Sequence, residues 1–212
     1  MSEQARVDAV ARELFRIGAL KLGDFVLSSG KRSRYYLDLR LVPSDVRVYP
    51  MVLDAYITVV ERIGRESFDA LAGVATAGIT VSSPLALLMK KPMVYVRSEA
   101  KGHGLGRSLE GYIERGSRVL VVDDLATTGE SMAEAVERVR REGCIVTDAT
   151  VLIDRQEGAG SRLAELGVRL SSFATVEEVV RSLRRQGMLR ESEVETILGR
   201  RPGRGGAGGA RV

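Results

Sequence analysis

The sequence predicts an α/β fold with a parallel sheet, on three observations. Short apolar runs recur at 71–75, 93–96, 119–122 and 145–153, and helix-patterned stretches at 79–89 and 130–142 lie between them. The composition, 44% hydrophobic and 28% charged over 212 residues, is that of an ordinary globular chain. Parallel neighbours need a crossover to return the chain, and a helix is the usual one, so strand–helix–strand repetition implies a sheet covered on both faces.

The elements follow in order. Val7, Val10, Ala11, Leu14, Phe15 and Ile17 recur at helical spacing, and the pattern fades between Gly18 and Gly23, so an amphipathic helix is expected over 7–20. Two β-favouring runs within 25–39 flank a turn rich in serine, glycine and bases, which reads as a hairpin. The stripe Val52, Leu53, Tyr56, Ile57, Val60 and Ile63 makes 49–63 a second helix ending at Gly64. After the alternating region, 161–166, 176–185 and 191–198 read as helices with polar outer faces.

Charge and cysteine content narrow the class. The 32 Lys and Arg exceed the 28 Asp and Glu by four, and all four excess bases (Arg200, Arg201, Arg204, Arg211) lie after Gly199. Residues 1–199 are therefore charge-balanced and expected to form one domain. The Arg/Gly-rich 200–212 has no side chain suited to a core and is expected to be a disordered, solvated tail. One cysteine, Cys144, permits neither an internal disulfide nor a thiolate cluster. No signal segment or apolar run long enough for a membrane span is evident, so a cytoplasmic protein is expected, with neither membrane nor nucleic acid as partner.

The chemistry concentrates in 118–131, Arg-Val-Leu-Val-Val-Asp-Asp-Leu-Ala-Thr-Thr-Gly-Glu-Ser. A buried strand runs into Asp123 and Asp124, then into a hydroxyl-rich loop, then into a helix. In an open α/β sheet that is the C-terminal strand edge, where ligands bind. Amides at the helix start can converge on a phosphate, Thr127, Thr128 and Ser131 add hydroxyls, and Gly129 allows close approach. The two acids suit vicinal sugar hydroxyls. The segment is neither a Walker A loop nor a dinucleotide fingerprint, and an isolated Asp-Asp pair can simply cap the next helix. In this loop a phosphorylated sugar is the better reading.

This stretch resembles the 5-phosphoribosyl-1-pyrophosphate (PRPP) signature of the type I phosphoribosyltransferases. Three further matches resemble orotate phosphoribosyltransferase: the hood segment at 23–36, the mobile catalytic loop Val-Arg-Ser-Glu-Ala-Lys-Gly-His-Gly at 96–104, and Ile-Asp-Arg-Gln-Glu at 153–157. The resemblance implies a type I phosphoribosyltransferase fold, with a central, mostly parallel sheet and a small N-terminal hood of about 1–45 completed by C-terminal parts. The implied reaction is orotate plus PRPP giving orotidine 5′-monophosphate and pyrophosphate in pyrimidine synthesis, with Mg²⁺ held mainly through PRPP.

The resemblance also implies the site. Asp123 and Asp124 hold the ribose hydroxyls, Ala126, Thr127, Thr128, Gly129, Glu130 and Ser131 surround the 5′-phosphate, and Leu125 also belongs to the PRPP site. Arg155 and Thr127, with Lys31, Tyr35 and Tyr36, take orotate. Lys101 and His103 reach pyrophosphate from the partner subunit of a homodimer, with Arg97 near the same group, and the segment 74–78 matches the pyrophosphate loop. Three glycines among Lys101, His103 and Arg107 suit a closing lid. Departures stand at Ser28, Ala77 and Ser98, where basic residues are common in the bacterial form. Two rivals remain at this stage: a phosphoribosyltransferase for another base, and a nucleic-acid-binding regulator that keeps the PRPP fold.

Overall fold

A computed structural model describes residues 2–26, 32–97 and 109–199. The turn of the hairpin, the lid around Lys101 and His103, and the tail lie outside these residues, as does Lys31. Helix α1 (Glu3–Arg16) starts at Ser2, whose hydroxyl accepts from the Ala5 amide at 3.2 Å. It ends earlier than the expected residue 20. The Ala19 amide turns back to the Leu14 carbonyl at 2.9 Å, and Leu20 already belongs to a strand. Strands β1 (Leu20–Val26) and β2 (Arg32–Leu37) pair antiparallel, Leu20 opposite Leu37, which makes the expected hairpin. A 3-10 turn, Leu39–Ser44, leads into α2 (Val48–Ile63), whose buried stripe includes Val52, Tyr56, Val59 and Val60.

The central sheet then unfolds as expected. Strands β3 (Ala70–Val74), β4 (Met93–Val96), β6 (Arg118–Val122) and β8 (Ile145–Asp154) are joined in parallel, with the two-residue β5 (Leu109–Glu110) antiparallel at one edge. Helices α3 (Ala77–Met89) and α4 (Glu130–Arg141) return the chain. The sheet order is β5-β4-β3-β6-β8, and β9 (Arg169–Thr175) lies on the far side of β8. Strand β9 has no sequence forecast: most of its residues are only half-buried at the sheet edge, so no apolar run marks it. Helices α5 (Ala159–Glu165), α6 (Val176–Arg185) and α7 (Glu191–Ile197) complete the chain.

Strand alternation splits the core into two layers. Leu120 and Val122 of β6 face the layer built by α1, α2 and α6, whereas Val119 and Val121 face Met132, Val136 and Val139 of α4. A strand apolar on both faces is thus locked in the middle of the sheet, and whatever follows it emerges at a fixed point on the C-terminal edge. Among the described residues no helix is long and apolar enough to cross a membrane.

Candidate active site

Strand β6 stops at Val122, and a second short strand, β7 (Leu125–Ala126), resumes along the same edge of β8. Asp123 and Asp124 occupy the break. Their backbone is tied on all sides: the Asp123 amide donates to the Thr150 carbonyl at 3.0 Å, the Leu152 amide to the Asp124 carbonyl at 3.1 Å, and the Asp124 amide to Asp123 Oδ1 at 2.9 Å. Burial and the neighbouring Asp124 push the Asp123 carboxyl well above the ordinary carboxylate range. Burial raises Asp124 too, against hydrogen bonds from Asp123 and from the backbone amides of Asp124 and Leu125, and, least, the charge of Arg40.

The loop from β3 to α3 lies directly against this pair. A Cβ on Gly78 would stand 2.6 Å from the Val122 carbonyl oxygen and 3.0 Å from Asp123 Oδ1, so only glycine lets the two segments meet. The segment 74–78 singled out in the sequence is thereby placed beside the acids.

Beyond Asp124, every residue from Leu125 to Met132 lines a cavity of about 600 Å³, together with Tyr36, Asp123, Arg155 and Glu157. The loop carbonyls are engaged away from one another: Arg155 N donates to Ala126, Ala159 N to Thr127 and Arg162 Nε to Thr128, at 2.9, 3.1 and 2.9 Å. The amides of Thr128, Gly129, Glu130 and Ser131 have no acceptor among the described residues. Gly129 has φ +78°, and a Cβ there would lie 2.8 Å from Ala159 Cα. The chain is folded so that it presents unpaired amide hydrogens at the N-terminus of α4, an arrangement that attracts anions.

Arg155, just past the end of β8, is 7% exposed. Its Nη2 meets Glu157 Oε1 at 2.8 Å and Ser33 Oγ at 3.3 Å, and its guanidinium carbon stands 4.4 Å from the centre of the Tyr35 ring. Its buried Nε has no partner among the described residues. A cationic fork is therefore held at Nη2 by Ser33 and Glu157, with its Nε donor uncommitted. Burial raises the Tyr35 hydroxyl, against a smaller opposing pull from Arg155. Tyr36 lines the same cavity, and its hydroxyl accepts from Arg40 Nη2 at 3.1 Å.

The structure thus brings together Asp123, all seven residues from Leu125 to Ser131, Arg155 and Tyr36, with Tyr35 behind Arg155. Asp124 stands beside them and lines a small void with Tyr56, Thr80 and Leu152 instead. Arg97 is ion-paired with Glu110 at 3.1 Å and does not line the cavity. Lys31, Lys101 and His103 fall outside the described residues. Sequence reasoning missed Ser33, Arg40 and the Tyr56 hydroxyl, which donates to the Asp123 carbonyl at 2.7 Å. The apolar stripe announced Tyr56 as core and carried no sign of its polar contact.

Comparison with known proteins agrees with this geometry. Residues 53–166 match the phosphoribosyl transferase domain family. An orotate phosphoribosyltransferase of Cenarchaeum symbiosum (strain A) is 45% identical over 195 residues, 92% of this chain and 98% of the relative. The crystal structure of orotate phosphoribosyltransferase from Aeropyrum pernix superposes with a TM-score of 0.77 at 44% identity, covering 85% of this chain and 99% of that one. A Leishmania donovani UMP synthase structure gives 0.81 at 29% identity, over 91% of this chain and 41% of that one. With the twin acids, the amide-lined loop and the hood-held arginine in place, the chain belongs to the orotate phosphoribosyltransferase family of phosphoribosyl transferases.

Proposed function

We propose that the crevice at the C-terminal edge of the sheet transfers the 5-phosphoribosyl group from PRPP to orotate, giving orotidine 5′-monophosphate and pyrophosphate. The observation that carries this reading is the sharing of one cavity by the unpaired amides of the 128–131 loop and the buried Arg155 guanidinium. The first suits a phosphate monoester. The second suits a planar carboxylate, which a fork of parallel donors meets in both charge and shape.

In this reading Asp123 and Asp124 accept hydrogen bonds from the ribose 2′- and 3′-hydroxyls, and residues 125–131 surround the 5′-phosphate. Arg155 and Thr127 orient orotate so that a ring nitrogen faces the anomeric carbon, with Lys31, Tyr35 and Tyr36 closing the hood side. As the glycosidic bond forms, positive charge grows at the anomeric carbon and is relieved by the attacking nitrogen. Negative charge grows on departing pyrophosphate, and this reading assigns Lys101, His103 and Arg97 to it, the first two from the partner subunit of a homodimer. Mg²⁺ carried on PRPP adds charge neutralisation at the leaving group when bound. Among the described residues no group of three or more His, Cys, Asp or Glu side chains is placed to hold a metal, and this reading holds the ion mainly through PRPP. The same reading treats residues 1–199 as one catalytic domain with its hood at the N-terminus, and the cytoplasm as its compartment, which the single buried Cys144 suits.

The test is the loss of orotate absorbance with PRPP and Mg²⁺, repeated with uracil, adenine and hypoxanthine in place of orotate. Turnover confined to orotate supports the reading, and comparable turnover with an uncharged base contradicts it. Shared sites are tested by mixing an Asp123→Asn protein with a Lys101→Ala protein. Partial recovery of activity supports exchange of lid residues between subunits, and none contradicts it.

A further inference from the structure

Helix α2 carries two tyrosines seven residues apart, Tyr49 and Tyr56, and that spacing puts both on one face. Tyr56 is fully buried and donates its hydroxyl to the Asp123 carbonyl at 2.7 Å. Tyr49, two turns earlier and half-buried, donates to the carbonyl of Thr80 in the first turn of α3.

Both acceptors are vacant for reasons written in the sequence. Four residues after Thr80 stands Pro84, which has no N–H, so α3 cannot use the Thr80 carbonyl itself. Asp123 lies in the break between β6 and β7, where the ladder with β8 is interrupted. Both contacts are part-buried, and a carbonyl partly withdrawn from water without a donor is destabilising, so each phenol fills a need. Phenylalanine would fill the same space and leave both needs unmet. Burial raises both phenols, so they remain donors across the neutral range.

The two carbonyls belong to different halves of the crevice. One carries the acids assigned to the ribose, and the other follows the 74–78 loop assigned to the leaving pyrophosphate. We infer that Tyr49 and Tyr56 are positioning residues through which α2 sets the spacing between the ribose-binding acids and the pyrophosphate loop. This inference rests on the reading of the crevice given above. Neither tyrosine touches substrate in it: Tyr56 acts through the Asp123 peptide, and Tyr49 through the first turn of α3.

The experiment measures binding of three ligands to the full chain by calorimetry, with melting temperature recorded alongside: PRPP with Mg²⁺, its 2-deoxyribosyl analogue, and magnesium pyrophosphate. Tyr56→Phe is expected to reduce the preference for PRPP over the deoxy analogue about fivefold, a loss on the scale of one hydrogen bond. Its Kd for pyrophosphate stays within about twofold. Tyr49→Phe is expected to do the converse, weakening pyrophosphate about fivefold and sparing the ribose preference. A lower melting temperature with all three affinities unchanged, or an equal loss for every ligand, overturns the inference. If Tyr56→Phe does not fold, the Tyr49→Phe protein decides by the same criterion. Asp123→Asn serves as the control: if it keeps the wild-type preference for PRPP, the reading of the crevice fails. If it loses that preference while both tyrosine variants keep their selectivities, only the positioning role fails.

Discussion

The guanidinium of Arg155 lies 4.4 Å from the centre of the Tyr35 ring, and this contact joins the end of β8 to the second strand of the hood. Glu157 at 2.8 Å and Ser33 at 3.3 Å complete the hold on Nη2. A fork held in this way loses little freedom when it meets a carboxylate, which is the condition for strong discrimination.

Arg155→Gln is therefore expected to raise the KM for orotate roughly tenfold to a hundredfold, the range for losing a charge-assisted hydrogen bond, with the KM for PRPP changed much less. Tyr35→Phe keeps the ring face and is expected to stay within about threefold of wild type for orotate, whereas Tyr35→Leu removes the cation–π contact and is expected to weaken orotate several-fold more. Steady-state kinetics with each substrate varied in turn checks this, and equal effects of the two Tyr35 variants would count against the ring contact.

Acidity at the twin acids has a definite sign. Asp123 has a folded-state pKa well above 3.8, burial being the main cause and Asp124 the second. The folded protein holds a proton that the unfolded chain gives up, so its contribution favours folding at low pH and is lost as pH rises through the folded value. Ribose binding needs the ionised acceptor and runs the other way. PRPP affinity is expected to increase with pH above the usual Asp range, and Asp123→Asn to flatten that rise while lowering affinity throughout. Calorimetric titration at a series of pH values decides it, and a pH-independent wild-type Kd would contradict it.

Gly129→Ala places a Cβ 2.8 Å from Ala159 Cα at a φ of +78°. The expected cost is about 1–3 kcal/mol of stability, with a weaker PRPP Kd because the amides of the loop must move. Chemical denaturation together with PRPP titration tests both halves of the statement. A stable variant with wild-type PRPP affinity would show that the loop tolerates repacking.

Away from the site, Arg118 grips Asp69 where β3 and β6 begin, with contacts of 2.6 and 2.9 Å, and holds its pKa at about 2, against an ordinary 3.8. The stability this contributes is present above 3.8 and is lost as pH falls toward about 2. Asp69→Asn is expected to remove that part of the acid slope and leave the neutral-pH activity near wild type, as read by melting temperature against pH.

The parallel sheet and the break at Asp123 and Asp124 with the loop that follows were legible because each depends on neighbours in the chain. A short, fully apolar run at 119–122, one of several alternating with helix-patterned stretches, reads as a strand buried on both faces, and the Asp-Asp followed by Thr-Thr-Gly is contiguous in the chain. Contacts between distant segments were not legible. Tyr56 reads as one more member of an apolar stripe, and only the fold reveals that Asp123 stands opposite its hydroxyl, 67 positions away. Ser33 likewise gains its part from Arg155, 122 positions later. Strand β9 escaped because partial burial at the sheet edge leaves no apolar signature, although its backbone pairs with β8 from Asp148 to Asp154.

A crystal grown with PRPP, Mg²⁺ and an unreactive orotate analogue tests the central claim most directly. The expected result is the 5′-phosphate on the amides of Thr128 to Ser131, the ribose hydroxyls at Asp123 and Asp124, and the analogue's carboxylate on Arg155. A donor lodged away from the twin acids, or a carboxylate that ignores Arg155, would contradict it.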